Sequence, residues 1–229
     1  KNEVLKAAIN LNAQLRIISH GLNSKFYHPP QKQNIISKFD KKNPFNIVYV
    51  SRVEPYKHQE KVIRAVWELR KKNNWPLALD LFGPSNNKYR SSLANLINKI
   101  DPGGRWVKYN DEIDHKDLPN IYRNANLGVF ASSCENLPNI LIEMMGSGLP
   151  IACSNKGPMP EVLGNGGVYF NPTNVFDIES AIQKLIKSPE LRAKIANASF
   201  LRANQYTWSD CADKTFRFLT DVFKNYVKE

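Results

Sequence analysis

Short apolar runs rich in β-branched residues recur between segments of helical periodicity along most of this 229-residue chain, and that alternation is what most restricts its fold. Runs this short and apolar suit the strands of a sheet. The longer segments between them suit crossover helices, and strands joined by crossovers pair in parallel. Six runs stand out, at Phe45 to Val50, Leu77 to Phe82, Arg105 to Tyr109, Leu127 to Ala131, Leu149 to Cys153 and Val168 to Phe170. The expected fold class is α/β, a doubly wound parallel sheet of about six strands with helices on both faces.

Between the first two runs, HQEKVIRAVWELRKKNNW places Val62, Ile63, Val66, Trp67 and Leu69 on one helical face. Its other side carries Arg64, Arg70, Lys71 and Lys72, which suit water or an anionic membrane surface. The end of the chain is helical throughout. Ile178, Ala181, Ile182, Leu185 and Ile186 form one core stripe, and Trp208, Cys211, Ala212, Phe216, Leu219, Phe223 and Tyr226 form another. The beginning reads differently: KNEVLKAAINLN as a short amphipathic helix, then a short strand within AQLRIISHGLNSKFYHPPQKQ that passes into a polar, proline-containing connector. Residues 1–43 are thus set apart as helix, strand and connector, and 44–229 as the main domain.

Composition narrows the function classes. The chain has 32 Lys and Arg against 21 Asp and Glu, a net charge of +11 that favours an anionic partner. Nucleic acid is disfavoured, because no basic run interleaves with aromatics and no helix-turn-helix, RNA-recognition or zinc-finger signature appears. Cys134, Cys153 and Cys211 form no C-x-x-C pair and have no histidine at ligand spacing, so neither a metal site nor a disulfide framework is expected. No run of about 18 to 20 apolar residues is present. The N-terminus lacks the apolar core of a signal peptide, and the chain is read as cytoplasmic.

In such a sheet with strand order 3-2-1-4-5-6, ligands bind beyond the carboxyl ends of strands one and four, where the order reverses. Both ends carry unusual residues. After the first strand, Ser51-Arg52-Val53-Glu54-Pro55-Tyr56-Lys57-His58 sets a guanidinium and an ammonium beside a helix start, a pair suited to a diphosphate but also readable as two surface cations. The turn lacks G-x-G-x-x-G, which disfavours the usual dinucleotide site, and the chain has no P-loop. After the fourth strand, a helix expected to begin near Pro138 is apolar nearly all round except for Asn139, Glu143 and Ser147 at i, i+4 and i+8. A carboxylate on such a helix must face a polar cleft or a partner. Glu135 precedes the same helix, whose free first-turn N–H groups offer an anion site.

The segments NIVYVSRVEPYKHQEKVIRAV, SSCENLPNILIEMMGSGLPIACS and GPMPEVLGNGGVYFNP, in this order, resemble the C-terminal half of a GT-B-fold glycosyltransferase of family 4. The resemblance runs from Ile18 to the C-terminus and implies a Rossmann-like domain that binds a UDP- or GDP-sugar as substrate, with no cofactor and no metal. It implies that Arg52 and Lys57 hold the donor diphosphate and that Glu143 binds the ribose hydroxyls. Glu135 takes the catalytic place beside the donor sugar, with Asn136, Leu137, Pro138 and Asn139 around it. Asn110 and Ile113 fall where main-chain groups hold the base. Where the family commonly has Glu-Gly-Phe-Gly, this chain has Glu135-Asn136-Leu137-Pro138, which changes how closely a sugar can approach the backbone.

The implied activity is retaining transfer to a saccharide or lipid-linked acceptor in surface polysaccharide synthesis, at the inner face of the cell membrane. The acceptor-binding N-terminal domain would lie outside this chain, leaving the piece inactive alone. The final helix then resembles one that crosses back to brace that domain, which predicts exposed apolar surface. A nucleotide-sugar epimerase of the same fold, and a non-catalytic basic domain for membrane or nucleic acid, are the competing readings.

Overall fold

The computed structural model describes residues 15–226. The helix expected in KNEVLKAAINLN lies outside the described residues. Six strands form one parallel sheet: β1 (Phe45–Val50), β2 (Leu77–Phe82), β3 (Val107–Asn110), β4 (Leu127–Phe130), β5 (Ile151–Ser154) and β6 (Val168–Phe170), in the order β3-β2-β1-β4-β5-β6. Between and after them lie α1 (Gln59–Asn73), α2 (Asn87–Ile100), α3 (Leu118–Asn124), α4 (Asn139–Gly146), α5 (Met159–Leu163), α6 (Val175–Lys187), α7 (Pro189–Ala203) and α8 (Trp208–Tyr226). Helix α1 packs on α2 and α6, and α4 packs on α5 and α7, so the sheet is covered on both sides.

Burial follows strand position. β4 and β5, in the interior of the sheet, are buried at every residue, whereas the edge strands β3 and β6 keep half-exposed positions. The pairing of Ile47 with Leu127 and Val48 with Gly128 joins β1 to β4 and creates the crevice between their carboxyl ends. Two strands start later than their apolar runs. The Asp101 carboxylate accepts the N–H groups of Trp106 and Val107 at 2.8 and 3.0 Å, which delays β3 to Val107. Before β5, Gly148 has φ +62°, and a Cβ there would lie 2.6 Å from Pro30 N, so a left-handed turn against the connector precedes the strand. Pro150 has no N–H to give the ladder, and pairing starts at Ile151.

The connector forms no strand. Residues 15–23 are irregular because they lie against α8 instead of a sheet edge: Leu22 donates its N–H to Tyr206 O at 2.7 Å, and His20 stacks on Trp208 with 6.0 Å between ring centroids. Further on, the fully buried Arg192 of α7 ties the connector to the domain. Its guanidinium donates to Gln33 Oε1 at 3.0 Å, to the Asn34 carbonyl, and to the carbonyls of Leu185 and Ile186 at 2.5 and 2.9 Å. The last helix departs from the core stripe expected of it. Trp208, Phe216, Leu219 and Phe223 are exposed, although His20 stacks on Trp208, so the helix keeps open apolar surface of the kind expected above for this last helix.

Candidate functional site

The loops after β1 and β4 are sewn together at the switch point. A single 3-10 turn, Pro55–Lys57, leads into His58, whose φ of 54° turns the chain sharply into α1. Tyr49 of β1 donates its hydroxyl to Lys57 O at 2.6 Å, and Gln59 Nε2 donates to Ser51 Oγ and Arg52 O, both at 2.8 Å. From the other loop, Ser133 donates its N–H to Tyr56 O at 2.8 Å, and its hydroxyl lies 3.0 Å from His58 Nε2. These bonds fix the two loops without using the charged groups that distinguish them.

The charged groups meet across the crevice. The Lys57 ammonium pairs with Glu135 Oε1, their side chains only 8% and 16% exposed. Tyr56 and Phe130 flank the ammonium, with ring centroids 5.2 and 5.6 Å away. A pair this sheltered is screened little by salt and attracts strongly. Arg52 is exposed, and its guanidinium makes no hydrogen bond or ion pair among the described residues. It lines neither of the two cavities described below and is open to solvent beside the turn. Glu135, Asn136 and Leu137 line a cavity of about 550 Å³ whose other walls include Ser19 of the connector and Arg202 of α7.

Helix α4 begins at Asn139, with Pro138 as its cap residue, and has no side-chain cap. An uncapped helix start directed at a crevice leaves N–H groups for an anion. One turn further on, Glu143 is 9% exposed among the buried Leu141, Ile142, Met144 and Met145. Its Oε1 lies 2.8 Å from His115 Nε2, while its Oε2 is buried with no partner among the described residues. Burial pushes the carboxyl pKa upward, and the hydrogen bond and charge of His115 oppose that shift. Glu143, Asn139, His115, His20 and Trp208 line a second cavity of about 260 Å³.

The structure therefore sets Glu135, Asn136 and Leu137 at one cavity, with Lys57 bonded to Glu135, and Asn139 with Glu143 at the next. Pro138 is buried behind them. Ser147, third in the polar stripe, turns away and donates its hydroxyl to Glu143 O at 2.8 Å within the helix. Asn110 and Ile113 line neither cavity. The Asn110 amide points back to Leu81 O at 3.4 Å, and Ile113 packs on the core. His115, two residues beyond Ile113, is the group from this loop that reaches the crevice, and no local pattern marked it.

The profile of the family described as glycosyl transferases group 1 matches residues 31–202, three-quarters of the chain, including Lys57, His115, Glu135 and Glu143. The chain belongs to that family. Among curated relatives of this group 1 chain, the O-antigen chain mannosyltransferase B of Escherichia coli is 26% identical over 171 residues, covering 73% of the chain and 44% of the relative. The sulfoquinovosyl transferase SQD2 of Arabidopsis thaliana is 24% identical over 221 residues, covering 93% of the chain and 41% of the relative. The chain thus spans less than half the length of these relatives. Among solved structures, the sucrose-phosphate synthase of Thermosynechococcus elongatus superposes with a TM-score of 0.81 at 22% identity, over 98% of the chain and 56% of that structure. The Anabaena protein HepE in complex with UDP and glucose gives 0.76 at 21% identity, over 90% and 57%. These neighbours share the fold, the Rossmann-like half of a GT-B glycosyltransferase.

Proposed function

We propose that this group 1 chain is the donor-binding domain of a retaining glycosyltransferase that takes a nucleoside diphosphate sugar, UDP- or GDP-linked, and passes the sugar to a saccharide or lipid-linked acceptor. The observation that carries the reading is the convergence at the β1/β4 switch point of Lys57, Glu135 and the uncapped start of α4, with Glu143 one turn inside it. A structural neighbour supports it, since HepE was solved with UDP and with UDP-glucose.

In this reading the diphosphate sits between Arg52, Lys57 and the start of α4. As the bond from the anomeric carbon to the diphosphate oxygen lengthens, negative charge grows on the leaving group, and donors already in place stabilise it without reorganising. Lys57 exchanges part of its bond to Glu135 for a phosphate oxygen. Glu135, released from full neutralisation, accepts from a sugar hydroxyl and orients the ring, while Glu143 accepts from the ribose. The acceptor approaches from residues that lie outside this chain.

Thermal unfolding with UDP, GDP and ADP tests the reading. At a ligand concentration about a hundredfold above Kd, a bound nucleotide adds about 2.7 kcal/mol, and the unfolding temperature of a domain this size rises by roughly 5 to 10 °C. The rise should occur for one base and disappear in Arg52→Ala. No rise with any of the three nucleotides would sink the reading.

A further inference from the structure

Glu143 is the carboxylate on which the ribose contact depends, yet its surroundings oppose its ionisation. It is nearly buried on an apolar helix, and one of its oxygens has no partner among the described residues. Three titratable groups face it from neighbouring elements. The Tyr122 hydroxyl of α3 is buried, has no partner among the described residues, and stays neutral because burial raises its pKa well above the usual range. His20 of the connector lines the same cavity. His115, in the 3-10 turn His115–Asp117, is the one that bonds to the carboxylate, and it is flanked on its own turn by Asp114, Lys116 and Asp117.

His115 is held although its side chain is 61% exposed. Its ring sits 5.1 Å from that of Phe26, which is 1% exposed and rests in turn 6.1 Å from Tyr122. The turn Ser24–Phe26 of the connector therefore seats the imidazole, and the imidazole seats the carboxylate. The bond spans 28 residues of sequence and joins the turn after β3 to helix α4.

We propose that His115 is a positioning residue for donor binding: its Nε2–H fixes the rotation of the Glu143 carboxylate, so that the remaining lone pairs meet the ribose hydroxyls. The same bond favours the ionised form, which the ribose contact requires because a protonated carboxyl offers fewer acceptors. The proposal rests on the donor reading above and deepens it.

The test compares UDP with 2′,3′-dideoxy-UDP by titration calorimetry on the wild type, His115→Ala, His115→Gln, Glu143→Ala and Arg52→Ala. His115→Ala should weaken UDP about tenfold, the size of one hydrogen bond to a charged group. It should leave the dideoxy nucleotide unchanged, because that ligand has no hydroxyl for Glu143 to accept. His115→Gln, whose amide N–H can replace the imidazole donor, should recover most of the loss. The ratio of the two affinities should also fall on acidification, at a higher pH in His115→Ala than in the wild type, since the imidazole no longer holds the Glu143 pKa down. The diphosphate's own titration is common to both nucleotides and cancels in that ratio.

An equal loss for both nucleotides would make His115 a merely structural or stacking residue and overturn the proposal. No loss in His115→Ala, with UDP weakened in Glu143→Ala, would overturn it while leaving the donor reading intact. Should the wild type bind no UDP, GDP and 2′,3′-dideoxy-GDP replace the pair in the same variants. Binding of neither nucleotide, or binding indifferent to both Arg52→Ala and Glu143→Ala, would overturn the donor reading and the proposal with it.

Discussion

Glu143 illustrates how burial sets a single charge against stability. Its pKa in the folded chain lies above its ordinary value, chiefly because burial penalises the charge. For a carboxylate shifted in that direction, the unfolded chain releases its proton first as pH rises. Stability therefore falls through the window between the unfolded and the folded pKa, and the deficit is complete above the folded pKa. Glu143→Gln should raise the unfolding temperature at pH 7.5, and the advantage should shrink as pH falls through that window, which calorimetric scans between pH 4 and 8 would show. The Lys57 and Glu135 pair makes the opposite case, because each neutralises the other in a sheltered place. Removing either partner strands a charge, so a double-mutant cycle with Lys57→Ala and Glu135→Ala should give a favourable coupling of about 1 to 3 kcal/mol. A coupling near zero by urea unfolding would mean that water already screens the pair. Both carboxylates were legible as residues, since Glu143 is the one charge on an apolar helix and Glu135 precedes it. The bond from Lys57 to Glu135 was not legible, because it joins loops 78 residues apart.

At the scale of elements, β1, β2 and β6 begin and end where the runs read from the sequence do. β3 and β5 were displaced by features outside their own runs, the Asp101 carboxylate in one case and the Gly148 turn with Pro150 in the other. The connector was misread as containing a strand for a related reason: Ile17 and Ile18 have the β-branched composition of one, but Arg16 and His20 on either side of them meet α8 and no sheet edge. What holds the connector is Arg192, whose four acceptors lie in the connector and at the end of α6. Replacing a buried guanidinium by an apolar group leaves those acceptors unpaired, at about 1 to 3 kcal/mol for each buried group stranded. Arg192→Leu should therefore destabilise the domain by about 3 kcal/mol in chemical denaturation. A loss below about 1 kcal/mol would show that water reaches those carbonyls.

At the scale of the whole molecule, the main asymmetry is α8. Phe216 and Phe223 are 69% and 67% exposed on a helix whose apolar stripe has the spacing of a core. An apolar residue that no described element covers contributes little to this domain, so Phe216→Lys with Phe223→Lys should change its stability by less than about 0.5 kcal/mol. The same pair should raise its solubility limit, because it breaks a contiguous apolar patch. A large loss of stability by thermal unfolding would mean that this face packs within the chain.

The sequence by itself determined the class of fold, the two strand ends that form the crevice, and the residue types waiting there. All three follow from local periodicity and from the rule that a doubly wound sheet opens where its strand order reverses. Only the tertiary structure decided that Lys57 and Glu135 neutralise each other, that His115 reaches Glu143, and which apolar stripes are covered. The reason is physical. Periodicity records which face of an element is apolar, whereas a contact between distant side chains depends on how loops and neighbouring elements pack, and that is settled only when the chain closes on itself.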